Sequence, residues 1–217
     1  MKIAVLSLTR DRLEYTQRSF ASLRENAGCD YTHFVLDQGS TDGTDHWLED
    51  YDGEVIWLTE NVGIHRGMNQ LLAHAGDGWD AYVTFDNDCE VTMPGTLKCA
   101  ARVAHEANWI VSPTVRGLIN TPVPHPVTEV AGEKVGAFYA LGGIFRTMPG
   151  RFAHDFRFNE RQPNWGGDEN DVGAAAHARG YGMGYLLDWH VTHMDTTEGQ
   201  WSRYPEYFER KTAEMIA

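Results

Sequence analysis

Through residue 113 the chain alternates short apolar runs with polar, helix-compatible segments, and this alternation constrains the fold more than any single motif. Residues 3–8, 31–37, 53–58, 81–86 and 109–113 have strand length and strand composition. Between them lie residues 11–26, the short stretch DHWLEDY, residues 61–76 and residues 94–107. In 61–76 the apolar side chains Ile64, Met68, Leu71, Leu72 and Ala75 recur at helical spacing, and Pro94 sits near the start of the last segment. Strands that alternate with helices predict an α/β fold with a mostly parallel central sheet flanked by helices.

The second half is less regular. Pro122, Pro124 and Pro126 mark residues 114–134 as an irregular connection, and residues 135–146 read as a strand interrupted by Gly142 and Gly143. A helix is predicted over 168–179, a strand over 181–191 and a terminal helix over 199–216. With no internal repeat and no break in composition, the 217 residues are expected to form one domain, 1–217.

A formal charge of −13 repels polyanions, so non-specific nucleic-acid binding is not expected, although a small phosphorylated ligand is compatible with it. Cys29, Cys89 and Cys99 cannot all pair within one chain and show no CxxC spacing, which suggests a reducing compartment. The first apolar run, 3–8, is too short for a signal-peptide core or a membrane span, and no later run is long enough. A cytoplasmic protein with no membrane span is expected.

In open α/β sheets ligands bind beyond the carboxyl ends of the strands. Here successive strand ends carry Thr9-Arg10-Asp11, Asp37, Glu60-Asn61 and Asp86-Asn87-Asp88, four polar clusters expected to converge on one crevice. Residues two apart in extended chain point the same way, so Asp86 and Asp88 are able to face one site. Such hard oxygen donors, with water and phosphate oxygens, suit Mg²⁺ or Mn²⁺, and a solvated turn is the plainer alternative. A second acidic cluster, GGDENDVG, reads either as a helix start with Asp168 as its cap or as an acceptor and proton-transfer site. Trp165-Gly166-Gly167 before it supplies an aromatic platform and a flexible approach, and Asp171 lies one helical turn from Asp168.

The runs VLDQGSTDGT, ENVGIHRGMN and FDNDCE, followed in order by YALGGIFR, NWGGDENDVG and WHVTHMD, resemble the inverting GT-A glycosyltransferases of family 2 and their relatives. The WGGDEND segment is also similar to the WGGEDDD segment of β-1,4-galactosyltransferases. The resemblance implies a GT-A (Rossmann-like) fold, with 1–113 as the nucleotide-sugar-binding half and 114–217 as the acceptor and catalytic-base half. It implies that Asp37 contacts the nucleotide base, Thr9 the nucleoside, Asp86 the ribose, and Asp88 the metal. Asn61, Gly63, Gly67 and Asn69 fit the NxGxxxGxN pattern, with Arg66 placed for a base or phosphate contact. Each has a structural alternative: Asp37 as a turn cap, the glycines as loop geometry, Arg66 as a surface ion pair.

By the galactosyltransferase-like pattern Glu169 is the base and Asp168 binds acceptor hydroxyls. This chain reads Asp-Glu where the pattern is Glu-Asp, so Asp168, Glu169 and Asp171 all stay candidates. HVTHMD implies a metal histidine at His193, with His190 as the alternative, and a nitrogen ligand favours Mn²⁺ over Mg²⁺. Gly142 and Gly143 are expected to let backbone approach the donor sugar or acceptor, a β-bulge being the rival reading. Residues 196–204 read as a lid over bound nucleotide-sugar. The implied activity is metal-dependent inverting transfer of a sugar from a nucleotide-diphosphate donor, a UDP-sugar first, to a hydroxyl of a glycan or modified nucleoside. A non-catalytic nucleotide-sugar or glycan-binding module is the alternative. A nucleotidyltransferase fits less well, because LSLTRDRLEY has no glycine.

Overall fold

The computed structural model describes residues 1–118, 126–161 and 166–195. Its elements begin β1 (Ile3–Thr9), α1 (Leu13–Asn26), β2 (Thr32–Gln38), α2 (Thr44–Glu49), β3 (Glu54–Leu58), α3 (Ile64–Ala75), β4 (Ala81–Phe85) and β5 (Cys89–Val91). They continue α4 (Thr96–Ala107), β6 (Trp109–Arg116), β7 (Val127–Val130), β8 (Glu133–Ala137), β9 (Phe145–Pro149), α5 (Gly150–His154), α6 (Asp168–Ala178) and β10 (Gly182–His193).

Strand β1 shows why the sheet is covered on both sides. Successive side chains alternate between faces. Ile3 and Val5 enter a core with Phe20 and Leu23 of α1 and Leu97, Ala100 and Ala101 of α4. Ala4 and Leu6 enter a second core with Met68, Leu71 and Leu72 of α3 and Val172 and Ala176 of α6. At roughly 1.5–3 kcal/mol for each large apolar side chain removed from water, both faces are strongly driven to be covered. Parallel strands under helices are the arrangement that achieves this.

The strands form one sheet in the order β3-β2-β1-β4-β9-β6-β10-β8-β7, with β5 paired beside β10. β1 is parallel to β2 and β4, and β2 to β3, so the carboxyl ends of these four strands share one edge. β9 enters between β4 and β6 antiparallel to both. β6, and β10 parallel to it, therefore run in the same sense as β4, and β10 delivers its carboxyl end to that edge. The expected parallel order holds in the first half; beyond β4 the sheet is mixed.

Several boundaries differ from the sequence reading. β6 runs on to Arg116, and the region read as irregular contains β7 and the start of β8, which form an antiparallel hairpin. Its turn, Ala131-Gly132, has φ of 49° and 80°, the left-handed pair that a two-residue hairpin requires. Alanine at the first of these positions hides the usual Asn-Gly signal. The single strand expected over 135–146 is two strands, because β8 pairs with β10 at the sheet margin while β9 lies between β4 and β6. Gly142 and Gly143 fall in the connection between them, so they neither interrupt nor bulge a strand. β5 and α5 had no expected counterpart. Among the described residues no helix is long and apolar enough to cross a membrane. Trp165, the 196–204 segment and the terminal helix expected over 199–216 lie outside the described residues.

Candidate active site

At the end of β1 the chain turns through two consecutive left-handed residues, Asp11 (φ 54°) and Arg12 (φ 69°), before α1 begins. Neither is glycine, and such backbone costs of order 1–3 kcal/mol per residue unless its surroundings fix it. Here they do. The Asp11 amide donates to Ser40 Oγ at 2.7 Å, the Thr41 amide to Asp11 Oδ1 at 2.7 Å, and the Leu13 amide to Asp42 Oδ2 at 2.9 Å. The loop after β1 is thereby stapled to the loop after β2.

The staple also engages Asp37. Its buried carboxylate accepts from Thr9 Oγ1 at 3.1 Å, from the Ser40 amide at 3.0 Å and from the Ser40 hydroxyl. Thr9 and Asp37 thus come together as expected, and Asp37 also closes its own turn. Asn61 accepts from the Gly63 amide at 2.9 Å ahead of α3, a local turn bond. Gly67 is a packing position, since a Cβ there would lie 2.8 Å from Leu8 Cδ2. Asn69 fastens α3 to the backbone of Phe158 through both its amide atoms, at 3.0 and 2.9 Å. Arg66 is exposed, and its 3.9 Å pairing with Glu160 is a surface contact of small energetic weight.

The centre of the site forms where β4 and β10 end. β5 follows Asp88 directly and pairs antiparallel with β10, placing His193 opposite Cys89, and the Met194 amide donates to the Asp88 carbonyl at 2.8 Å. His193 Nε2 consequently lies 3.2 Å from Asp88 Oδ2. The same oxygen accepts from Arg12 Nη1 at 3.0 Å, while Arg12 Nη2 reaches Asp195 Oδ2 at 2.7 Å. Burial works against the charge on Asp88, but the hydrogen bond and charge of His193 and the Arg12 guanidinium outweigh it and hold its pKa below the ordinary carboxylate value. For His193 burial is likewise outweighed, by the bond to Asp88 and the charges of Asp88 and Asp86, and its pKa is raised. His190 sits elsewhere, paired with Thr114 across a register shift, its pKa lowered by burial and by the charge of Arg116.

Asp86 retains partial exposure by surface area, yet crowding by protein atoms leads the forces on it. That desolvation, then the charges of Asp88 and Asp168, raise its pKa to about 7. Asp168 opens α6 after Gly167, so the helix cap is the glycine and not the aspartate, as the plainer sequence reading had it. Its carboxylate meets Arg146 Nη1 at 3.1 Å, and Arg146, 1% exposed, also donates to the Leu141 carbonyl at 2.9 Å. A Cβ on Gly143 would lie 3.0 Å from Asp168 Oδ2, so this glycine makes room for the carboxylate. Glu169 follows in the same turn, its pKa raised by burial and by the charge of Asp168. Asp171 is engaged elsewhere: it accepts from the Asn159 amide at 2.8 Å and lies 3.5 Å from His65 Nε2.

The structure therefore brings together Asp86, Asp88, His193, Asp168 and Glu169, with Gly143 against Asp168, and keeps His190 and Asp171 in other contacts. Three members of the cluster were missed by sequence reasoning: Arg12, Arg146 and Asp195. Arg146 ends the YALGGIFR run and Asp195 the WHVTHMD run, but a single sequence says nothing of their partners. Five carboxylates thus converge with two guanidiniums and one imidazole. That excess of negative charge favours a bound cation, and a carboxylate with a raised pKa beside it is suited to accepting a proton.

Two donors on one small divalent ion, each about 2.1 Å from it, stand about 3 Å apart when adjacent. The 3.2 Å between His193 Nε2 and Asp88 Oδ2 fits such a pair. Among the described residues no group of three His, Cys, Asp or Glu side chains builds a metal centre by itself. The residues fit an ion that shares its shell with phosphate oxygens and water, as magnesium-type ions commonly do.

The family model for glycosyl transferase family 2 matches residues 5–162. Compared by sequence with curated proteins, the chain matches none. Among solved structures, GalNAc-T7 with UDP, GalNAc and Mn²⁺ superposes with a TM-score of 0.73 at 13% identity, over 91% of this chain and 44% of that one. Mannosyltransferase PcManGT from Pyrobaculum calidifontis, in complex with GDP-Man and Mn²⁺, gives 0.67 at 16% identity, over 93% and 59%. S. aureus TarS 1-349 in complex with UDP-GlcNAc gives 0.66 at 19%, over 89% and 60%. At identities this low the superpositions show a shared GT-A fold alone, and the chain spans only 44–60% of the length of these proteins. With the family model covering most of its residues, the chain belongs to glycosyl transferase family 2.

Proposed function

We propose that the chain transfers a hexose from a nucleotide-diphosphate donor, a UDP-sugar first, to a hydroxyl acceptor with inversion at the anomeric carbon, using Mn²⁺ or Mg²⁺. The observation that carries this reading is the convergence of Asp86, Asp88 and His193 with Asp168 and Glu169 at one sheet edge. Asp88 and His193 would hold the cation, which when bound supplies charge relief to the departing diphosphate. Residues 1–113 form the donor half in this reading and 114–217 the acceptor half.

Glu169 takes the proton from the acceptor hydroxyl as that oxygen bonds the anomeric carbon and the bond from that carbon to the diphosphate oxygen breaks. Attack opposite the leaving group inverts the centre. Asp168, fixed by Arg146, orients acceptor hydroxyls; Gly142, with open space beside it, leaves backbone free to approach the sugar, and Gly143 serves it by making room for the Asp168 carboxylate. Asp37 uses three of roughly four lone-pair positions of a carboxylate within its turn, which leaves one for an N–H of the base. Thr9 and Asn61 line the nucleoside side, Asp86 the ribose, and Arg66 reaches phosphate or base from the exposed start of α3.

The test is a panel of UDP-, GDP- and dTDP-hexoses incubated with the protein and Mn²⁺. One donor is expected to release its nucleoside diphosphate, and NMR of the first-formed sugar product is expected to show the inverted anomer. Nucleotide-sugar binding without release would identify a binding module, and a retained anomer would eliminate direct displacement.

A further inference from the structure

We infer that the guanidinium of Arg12 is a resident counter-ion that the divalent cation displaces, and that Asp195 then joins Asp88 and His193 as a protein ligand of that cation. This rests on the cation-dependent reading given above.

Three donors of metal-binding type are gathered around this one positive group. Asp88 Oδ2 lies 3.0 Å and Asp195 Oδ2 2.7 Å from its two terminal nitrogens, and Asp88 Oδ2 is also 3.2 Å from His193 Nε2. The side chains of Asp88 and Asp195 are 6% and 1% exposed and that of Arg12 is 21% exposed, so the cation is the member with a path to solvent. Stripping countercharge from buried carboxylates costs several kcal/mol, so displacement of Arg12 is favoured when another cation takes its place. With the guanidinium bridging Asp88 and Asp195, Asp88 and His193 already stand at the spacing of adjacent ligands, 3.2 Å, while Asp195 reaches Asp88 through Arg12.

Two further features support exchange. His193 is 8% exposed, and its Nδ1 is buried without a hydrogen-bond partner among the described residues, which leaves the ring held through Nε2. Arg12 also lies over the Tyr15 ring, 4.7 Å from its centroid, a contact independent of the two acids. Its backbone is fixed by the stapled left-handed turn, so the side chain alone has to move. Once displaced, the guanidinium finds a new anionic partner in the diphosphate that arrives with the metal. Metal and nucleotide therefore bind cooperatively, each removing the obstacle to the other.

The experiment titrates Mn²⁺ alone into the full chain, reading free ion by electron paramagnetic resonance, for the wild type, Arg12→Met, Arg12→Lys and the double variant Arg12→Met/Asp195→Asn. Arg12→Met is expected to bind Mn²⁺ about tenfold or more tightly than wild type, a change of the size seen when groups around a metal are altered. Arg12→Lys is expected to stay near wild type, and the double variant to lose the gain. Unchanged or weaker affinity in Arg12→Met, or a gain that survives Asp195→Asn, overturns the inference. Should Arg12→Met not fold, Asp195→Asn alone decides: Mn²⁺ binding in the presence of UDP is expected to weaken about tenfold, and unchanged binding overturns the inference. Absence of Mn²⁺ binding with UDP in every protein, wild type included, would instead strike the cation-dependent function itself.

Discussion

With Glu169 as the proposed general base, replacing it with glutamine is expected to lower kcat by about 10²- to 10⁴-fold, the usual contribution of such a group, and to leave nucleotide binding nearly unchanged. Gln is close to isosteric with Glu, so the loss reads the proton acceptor rather than the packing. The pH profile adds a second signature. Burial and the neighbouring Asp168 raise the Glu169 pKa above the ordinary glutamate value. A base must be ionised to act, so kcat/KM rises with pH through that raised pKa and levels off above it. In Glu169→Gln this acid limb disappears. Asp171→Asn, in contrast, removes an acceptor of the Asn159 amide and a neighbour of His65, and its effect is expected in stability with kcat largely kept. A kcat loss in Asp171→Asn equal to that in Glu169→Gln would move the base to Asp171.

Replacing Arg146 with methionine destabilises the fold by about 3–5 kcal/mol, the cost of leaving one member of a buried ion pair without its partner. For a chain of this length that corresponds to a fall in Tm of about 10 °C. The guanidinium is almost fully buried, bonds the Leu141 carbonyl and Asp168, and lies 5.6 Å from the Phe158 ring centroid. Arg146→Lys is expected to recover part of the loss, because both bonds leave the single nitrogen Nη1 and an ammonium keeps the charge and the donors. It does not keep the planar group that lies near the Phe158 ring. Adding Asp168→Asn to Arg146→Met removes the stranded charge and is expected to recover part of the loss. Urea and thermal denaturation of the single and double variants check the two numbers, and full additivity of the two substitutions would contradict the pairing.

What was legible in the sequence is what local physics writes into it. β1, β2 and β4 appear as apolar runs because strands buried on both faces leave little room for polar side chains, while β3 at the sheet margin is only partly buried. The polar termini of these strands mark the edge where the candidate site lies. Asp86 and Asp88 were placed by that rule, and His193 by its resemblance to a family motif. Non-local pairing was not legible. Nothing in residues 145–149 indicates that β9 inserts between β4 and β6, since its partners lie more than 30 residues away along the chain. Arg146 sits in an apolar run as a lone charge whose acidic partner is 22 residues distant, and Arg12 meets Asp88 across 76 residues and Asp195 across 183. Helical spacing put Asp168 and Asp171 on one face, yet tertiary contacts turn the first carboxylate to Arg146 and the second to Asn159 and His65. The hairpin of β7 and β8 was hidden by Ala131, which occupies a left-handed position where asparagine or glycine is the usual signal.

Asp88 is proposed to grip a divalent ion that carries a nucleoside diphosphate. Calorimetric titration of UDP and GDP into the full chain, with Mn²⁺ and then with chelator, tests it most directly when repeated on Asp88→Asn. One nucleotide is expected to bind with Mn²⁺, to lose that binding with chelator, and to bind at least about tenfold more weakly to Asp88→Asn. Binding of equal strength in all three conditions, or no binding of either nucleotide with Mn²⁺, would contradict it.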